Sequence, residues 1–353
     1  MTKNDPQSQT LTAYDRQGTA YPLSSTNSRG GEGTLYLLKN DPSRCAKIFK
    51  PNCRTRGKYI KITALIALNE RGAIKASFAD QVIIPRRCLY SDPAHQEMDT
   101  FIGYTMERLK GFHSPSAFGR ASNPDYMEKV TAAKNIAILT HVIHSCGFII
   151  GDFNENNIAV FRGAKTRLLD ADSIQFTVRK GGQIIFLPCN GLYEEYRPPE
   201  LQEVDLSGPQ SPEHPLLTVY SDYWQMAIHI FRLLMNGASP FASASLHPEA
   251  NDPEEKRQTF VYSEHTDGLI PPPYAPDYNM LSNELQGLFE QCFVSGRFSP
   301  EKRPGPQAYY SALCNYARIL ARRACGHMMP AGRSSCCEWC RLKKEGFTYE
   351  LNG

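Results

Sequence analysis

The chain has 353 residues, 41% of them hydrophobic and 21% charged, enough for one large or two medium domains with ample core. No apolar stretch nears the ~18 residues of a membrane span, and the opening MTKNDPQSQT lacks the apolar region of a secretory signal, so no membrane partner is expected. The net charge of +3 is uneven: residues 301–353 hold nine Lys or Arg against four acidic residues, a basic appendage on a near-neutral body.

Residues 1–12 are expected to be disordered. From Ala13 to about Tyr104, the short apolar runs LYLL, CAKIF, QVII and FIGYTM, broken by Gly, Asn and Pro, predict a small sheet. One helix, Thr55 to Asn69, interrupts it. After Gly111 helical spacing dominates, at Tyr126–Cys146, Tyr223–Met235, Leu281–Phe293 and Pro306–Ala324. The reading is α+β: a β-rich small lobe over 13–106, a helical large lobe over 107–324 and a Cys/His tail over 325–353. Val204–Pro215 reads as a surface loop. Seven of the 11 cysteines scatter up to residue 314 without a pairing pattern, as buried thiols of a reducing cytoplasm do.

The most informative string is GDFNENNIAV, residues 151–160, followed seven residues on by LLDADS, residues 168–173. It sets Asp152 five residues before Asn157 and places Asp170 at the end of an apolar run. Phosphoryl transfer needs a carboxylate beside the acceptor hydroxyl, and an Asn with a second carboxylate to hold Mg²⁺ against ATP phosphates. Asp172 is a further candidate for ligand or supporting acid. Upstream, Gly31 and Gly33 flank Glu32 in a turn where backbone amides can approach phosphate. Lys47 sits inside the apolar run CAKIF, where an ammonium is costly without an anionic partner.

In this order the motifs resemble bacterial eukaryotic-like (Hanks-type) protein kinases of the YegI type, over about residues 20 to 345. The resemblance implies a two-lobed protein-kinase-like fold and a serine/threonine-type kinase using ATP and Mg²⁺ on a protein substrate, itself included. It assigns Asp152 as base, Asn157 and Asp170 as Mg²⁺ ligands, and Lys47 as the residue holding the α- and β-phosphates. Met106 takes the gatekeeper position, with the backbone of Glu107 and Leu109 bonding adenine. Tyr196–Glu200, Ser221–Trp224 and Lys302–Pro304 match structural motifs, with Glu200 expected to pair with Arg303. Four departures stand out. The helix after Lys47 contains no acid before Glu70, Ile150-Gly151 replaces a His-Arg pair, Asp-Ala-Asp replaces Asp-Phe-Gly, and Tyr193 occupies a usual threonine position. A pseudokinase acting as an ATP-binding or interaction module is the rival reading.

In the tail, Cys325-Gly326-His327 precedes Cys336-Cys337-Glu338-Trp339-Cys340. Two close pairs of soft or borderline ligands suit a closed tetrahedral Zn²⁺ site. The expected ligands of this structural zinc are Cys325, His327, Cys337 and Cys340, with Cys336 to spare. The basic residues around them read as a solvated face, so no nucleic-acid partner is expected. His141 and His144, one helical turn apart, read as packing or solvent-facing residues.

Overall fold

The computed structural model describes residues 10–207, 210–211, 215–245, 258–264, 266, 268–332 and 337–351, apart from the side chains of 27–29 and 245. The chain divides into two compact units: Met1–Lys110 with Asp170–Asp172 and Val178–Leu187, and the remainder from Gly111. The sequence-based division fell at Met106 and placed 170–172 and 178–187 in the large lobe. Residues 1–9 lie outside the described residues, and the first strand begins at Thr10, inside the stretch expected to be disordered.

In the first unit alternation closes a barrel in the order β1-β2-β3-β4-β6-β5. Its strands are β1 (Thr10–Tyr14), β2 (Ala20–Arg29), β3 (Gly33–Leu38), β4 (Asp41–Phe49), β5 (Arg87–Tyr90) and β6 (Phe101–Glu107). Inward residues Ala13, Leu23, Leu38, Ala46, Ile48, Leu89 and Ile102 form its core. β4 is antiparallel to both neighbours, which sets Leu35 and Tyr104 opposite Lys47. Helix α1 (Arg56–Glu70) starts at Thr55, whose side chain accepts from Lys58 N at 3.2 Å, and a short α2 (Ala76–Gln81) follows.

The second unit opens with β7 (Phe112–His113) and α3 (Pro115–Arg120), then α4 (Tyr126–Ser145), capped by Asp125. Strands β8 (Ile158–Phe161) and β9 (Thr166–Leu168) join β7 in a three-stranded sheet. A two-stranded ladder pairs β12 (Ala244–Ser245) with β13 (Leu269–Ile270), whereas β10 (Phe176–Lys180) passes into the first unit at Val178 and pairs with β11 (Gln183–Leu187). The central helix α5 (Val219–Leu234) begins four residues before the predicted start, because Thr218 and Ser221 close a capping box ahead of it. Its Trp224 and Phe231 pack with Phe241, Phe289 and Phe293. Leu206, in the expected surface loop, is buried with Cys189, Leu201 and Leu217.

Helices α6 (Asn283–Glu290) and α7 (Pro306–Arg318) follow. The helix expected to reach Ala324 ends at Arg318, because β14 (Leu320–Arg322) pairs instead with β15 (Met328–Pro330). Helix α8 (Glu338–Lys344) completes the tail. Among the described residues no helix is long and apolar enough to cross a membrane.

Candidate active site and metal centre

The predicted residues fall into three sets, each brought together within one unit. In the first unit, the turn from β2 to β3 closes with Gly30 N donating to Gly33 O at 2.8 Å. A Cβ on Gly33 would stand 2.6 Å from Ile48 O, so only glycine lets β3 and β4 approach there. A Cβ on Gly31 would meet nothing within 4 Å, which leaves its surroundings open.

Lys47 Nζ lies 2.6 Å from Asp170 Oδ2 and 2.7 Å from Asp172 Oδ1. These two carboxylates, not Glu70, answer the missing helix acid: Glu70 ends α1 exposed. The helix contributes a cation instead, since Lys58 Nζ lies 3.0 Å from Asp172 Oδ2 and also pairs with Glu32. Tyr104 Oη donates to Asp172 Oδ1 at 3.3 Å, and Asp172 N donates to Asp170 Oδ1 at 3.3 Å. The Asp172 side chain is fully buried. Burial alone would raise its pKa, but Lys47 and then Lys58 outweigh burial and hold the carboxyl well below the usual range. Burial, followed by the charge of Asp172, drives the Tyr104 phenol well above its ordinary value. Sequence reasoning missed Lys58 and Glu32. The available signal was a helix start rich in bases opposite an apolar strand carrying one more.

Met106, the penultimate residue of β6, is buried opposite Cys45, whose thiol is pushed up to about 11 by burial. The carbonyl of Glu107 accepts from Cys45 Sγ at 3.7 Å, and Arg108 N donates to Ser43 O at 2.9 Å. The strand pairing thus extends to the residue before Leu109.

In the second unit, Asn157 Nδ2 donates to Asp152 O at 2.8 Å and to Asp152 Oδ2 at 3.3 Å. That commits the amide nitrogen and turns the Asn157 carbonyl oxygen away from Asp152, as a hard-cation ligand requires. Asp152 Oδ1 accepts from Tyr193 N at 2.9 Å, so the usual threonine contact is replaced by main chain while the tyrosine ring is exposed. The loop itself is held from α5. Asp222, fully buried, accepts from Ile150 N at 2.7 Å and Gly151 N at 3.0 Å. Gln225 accepts from Phe153 N at 3.0 Å and donates to Gly151 O at 2.8 Å. His144 is neither ligand nor free surface: its Nε2 lies 2.7 Å from Asp222 Oδ2. His229 Nε2 bonds Phe153 O at 2.7 Å. Gly151 has φ +80°, and a Cβ there would stand 2.8 Å from the Cys189 side chain. The arginine usual at this position has no room, because Cys189 fills it.

The tail brings its four expected ligands together. Cys325, His327, Cys337 and Cys340 offer atoms all within 4.8 Å of one another. His327 Nδ1 is 3.5 Å from Cys325 Sγ and 3.4 Å from both Cys337 Sγ and Cys340 Sγ. Tetrahedral zinc with ~2.3 Å Zn–S and ~2.0 Å Zn–N bonds would set nitrogen and sulfur about 3.5 Å apart, so the donor set fits that ion. Cys336 lies outside the described residues. Cys325 and His327 come from the β14–β15 turn, and Cys337 and Cys340 from the start of α8. Trp339 seats the tail on α4, 4.8 Å from the Tyr126 ring and 4.7 Å from Lys129 Nζ, which burial pushes down to about 7. Two of the basic residues form ion pairs within the chain: Arg341 with Glu338 and Glu345, and Arg322 with Asp125.

No protein-family model matches the chain. Protein kinase YegI of Escherichia coli strain K12 is 26% identical over 362 residues, covering 97% of this chain and 52% of that protein. Protein kinase YegI of Escherichia coli O157:H7 is 26% identical over 361 residues with the same coverage. The chain therefore spans about half the length of these curated relatives. Among solved structures, a ROP18 kinase domain in complex with AMP-PNP and sucrose aligns with a TM-score of 0.50 and 17% identity, over 89% of this chain and 86% of that one. The chain has a protein-kinase fold and is similar to protein kinase YegI over about half of that protein's length.

Proposed function

We propose that this chain is a YegI-type, ATP- and Mg²⁺-dependent protein kinase that transfers the γ-phosphoryl group to protein serine or threonine hydroxyls, its own included. The carrying observation is the Lys47 ammonium held 2.6 Å from Asp170, a partly buried cation fixed beside the carboxylate that ends the expected metal strand. Lys47 would hold ATP phosphates, and the amides of Gly31 and Gly33 would approach them. The main chain of Glu107 and Leu109 would take adenine behind Met106. Asp170 and Asn157 would hold Mg²⁺, which neutralises phosphate charge when bound. Asp152 would orient the acceptor hydroxyl and accept its proton. The tail would hold one structural zinc on Cys325, His327, Cys337 and Cys340, with four protein ligands leaving no open position for catalysis. Among the described residues the ten cysteines form no disulfide, which supports the reading of a reducing, cytoplasmic setting.

Incubation with γ-labelled ATP and Mg²⁺ tests the reading. Wild-type protein should transfer label to itself or to a general protein acceptor. Asp152→Ala should cut transfer by orders of magnitude with ATP binding retained. Binding without transfer in the wild type would establish the pseudokinase instead.

A further inference from the structure

We propose that Asp172 is the positioning residue for Lys47, and that α1 supplies the matching charge in reverse, as the cation Lys58 rather than as an acid. The inference rests on the kinase reading for the meaning of Lys47, but its geometry lies wholly within the first unit.

An ammonium inside a strand keeps one position only if an anion fixed elsewhere holds it. Asp170 cannot serve alone, because a carboxylate that coordinates a metal must share its lone pairs with that metal. Asp172 is differently placed. Its Oδ1 receives Lys47 at 2.7 Å and Tyr104 Oη at 3.3 Å, and its Oδ2 receives Lys58 at 3.0 Å. These three protein donors occupy both oxygens of a side chain with no solvent exposure. Such a carboxylate is an anchor rather than a metal ligand.

Lys58 stands in the first turn of α1, where Thr55 caps the helix and fixes the backbone that carries it. Its second partner, Glu32, lies between Gly31 and Gly33 in the β2–β3 turn. The chain Glu32–Lys58–Asp172–Lys47 thus links the phosphate-facing turn, the helix and the strand through alternating charges. Lys58 also holds Asp172 against the like charge of Asp170. Loss of Lys58 should therefore weaken nucleotide binding although Lys58 need touch no nucleotide.

Calorimetric titration with ATP in EDTA, then with Mg²⁺, tests the assignment in the full chain. Asp172→Asn and Lys58→Met should each weaken metal-free ATP binding about tenfold, the scale of a lost charge-assisted hydrogen bond, and should keep the further tightening on adding Mg²⁺. Lys58→Arg should retain wild-type affinity. Either change should add little to Lys47→Met, since all three act through one ammonium. Lost Mg²⁺ tightening in Asp172→Asn would make Asp172 a metal ligand and overturn the proposal. So would unchanged metal-free affinity in folded Lys58→Met, which decides the matter if Asp172→Asn does not fold. Failure of the wild type to bind ATP at all would instead sink the kinase reading, which these comparisons among variants leave separately testable.

Discussion

Arg303 and Glu200 meet as a two-pronged ion pair, with Nη1 2.7 Å from Oε1 and Nη2 2.5 Å from Oε2. The Arg303 side chain is fully buried, so its charge depends on that partner, with Gly296 O at 2.8 Å, Tyr220 O at 3.0 Å and the Trp224 ring at 5.0 Å filling the remaining directions. Glu200→Ala should cost roughly 3 kcal/mol, because it strands a buried guanidinium. Replacing both by neutral residues should cost less than the sum of the single changes. Additive losses in denaturant titrations would show that the two act independently.

Under the proposed function, Asn157→Ala and Asp170→Ala should each abolish the Mg²⁺-dependent tightening of ATP binding, since each would offer a hard oxygen to the metal. Thermal shifts with ATP in the presence and absence of Mg²⁺ provide the readout. An intact metal increment in Asp170→Ala would mean that another group carries the ion.

Much of this site could be read from the sequence because it rests on short-range spacing. Asp152 and Asn157 share one turn of chain, and the tail ligands come as two close pairs, so register alone brings each set together. Lys47 was legible as a buried cation in need of an anion, but its partner was not. Asp172 lies 125 residues away, and it met Lys47 only once the 170–172 segment packed with the first unit. Lys58 and His144 were obscured in the same way, as each is an ordinary polar helix residue until a distant aspartate arrives. The end of α7 was misjudged because helical spacing runs past Arg318. The competing β14–β15 pairing depends on residues beyond the turn.

His229 makes the support of the 151–157 loop acid-sensitive. It is fully buried between Phe153 and the stacked Tyr196 ring, and burial pushes its pKa down to about 3. Below the ordinary histidine value the unfolded chain takes up a proton that the folded chain refuses. Stability should therefore fall as pH drops from about 6.5 toward 3, by ~2 kcal/mol at pH 5 from this residue alone. Chemical denaturation of wild type and His229→Gln across that range should show a flatter profile for the variant. Parallel profiles would remove His229 as the cause.

The tail should carry one zinc through purification, because its ligand atoms already converge and metal binding adds to folding energy. Elemental analysis should find close to one zinc per chain, falling sharply in Cys337→Ser and Cys340→Ser. His327 favours the neutral imidazole that a metal requires, since burial lowers its pKa, with Lys343 and Lys129 adding to the effect. Stripping the ion with a chelator should release the β14–β15 turn from the start of α8. It should also expose Trp339, whose indole donates to Met328 O at 3.2 Å and covers Tyr126 and Lys129. The expected signature is a red-shifted tryptophan emission and faster amide exchange in α8. Exchange in the first-unit barrel, which takes no residue from the tail, should stay unchanged. Zinc-free protein with freely alkylated Cys325, Cys337 and Cys340 and undiminished stability would reduce the cluster to a set of neighbouring thiols.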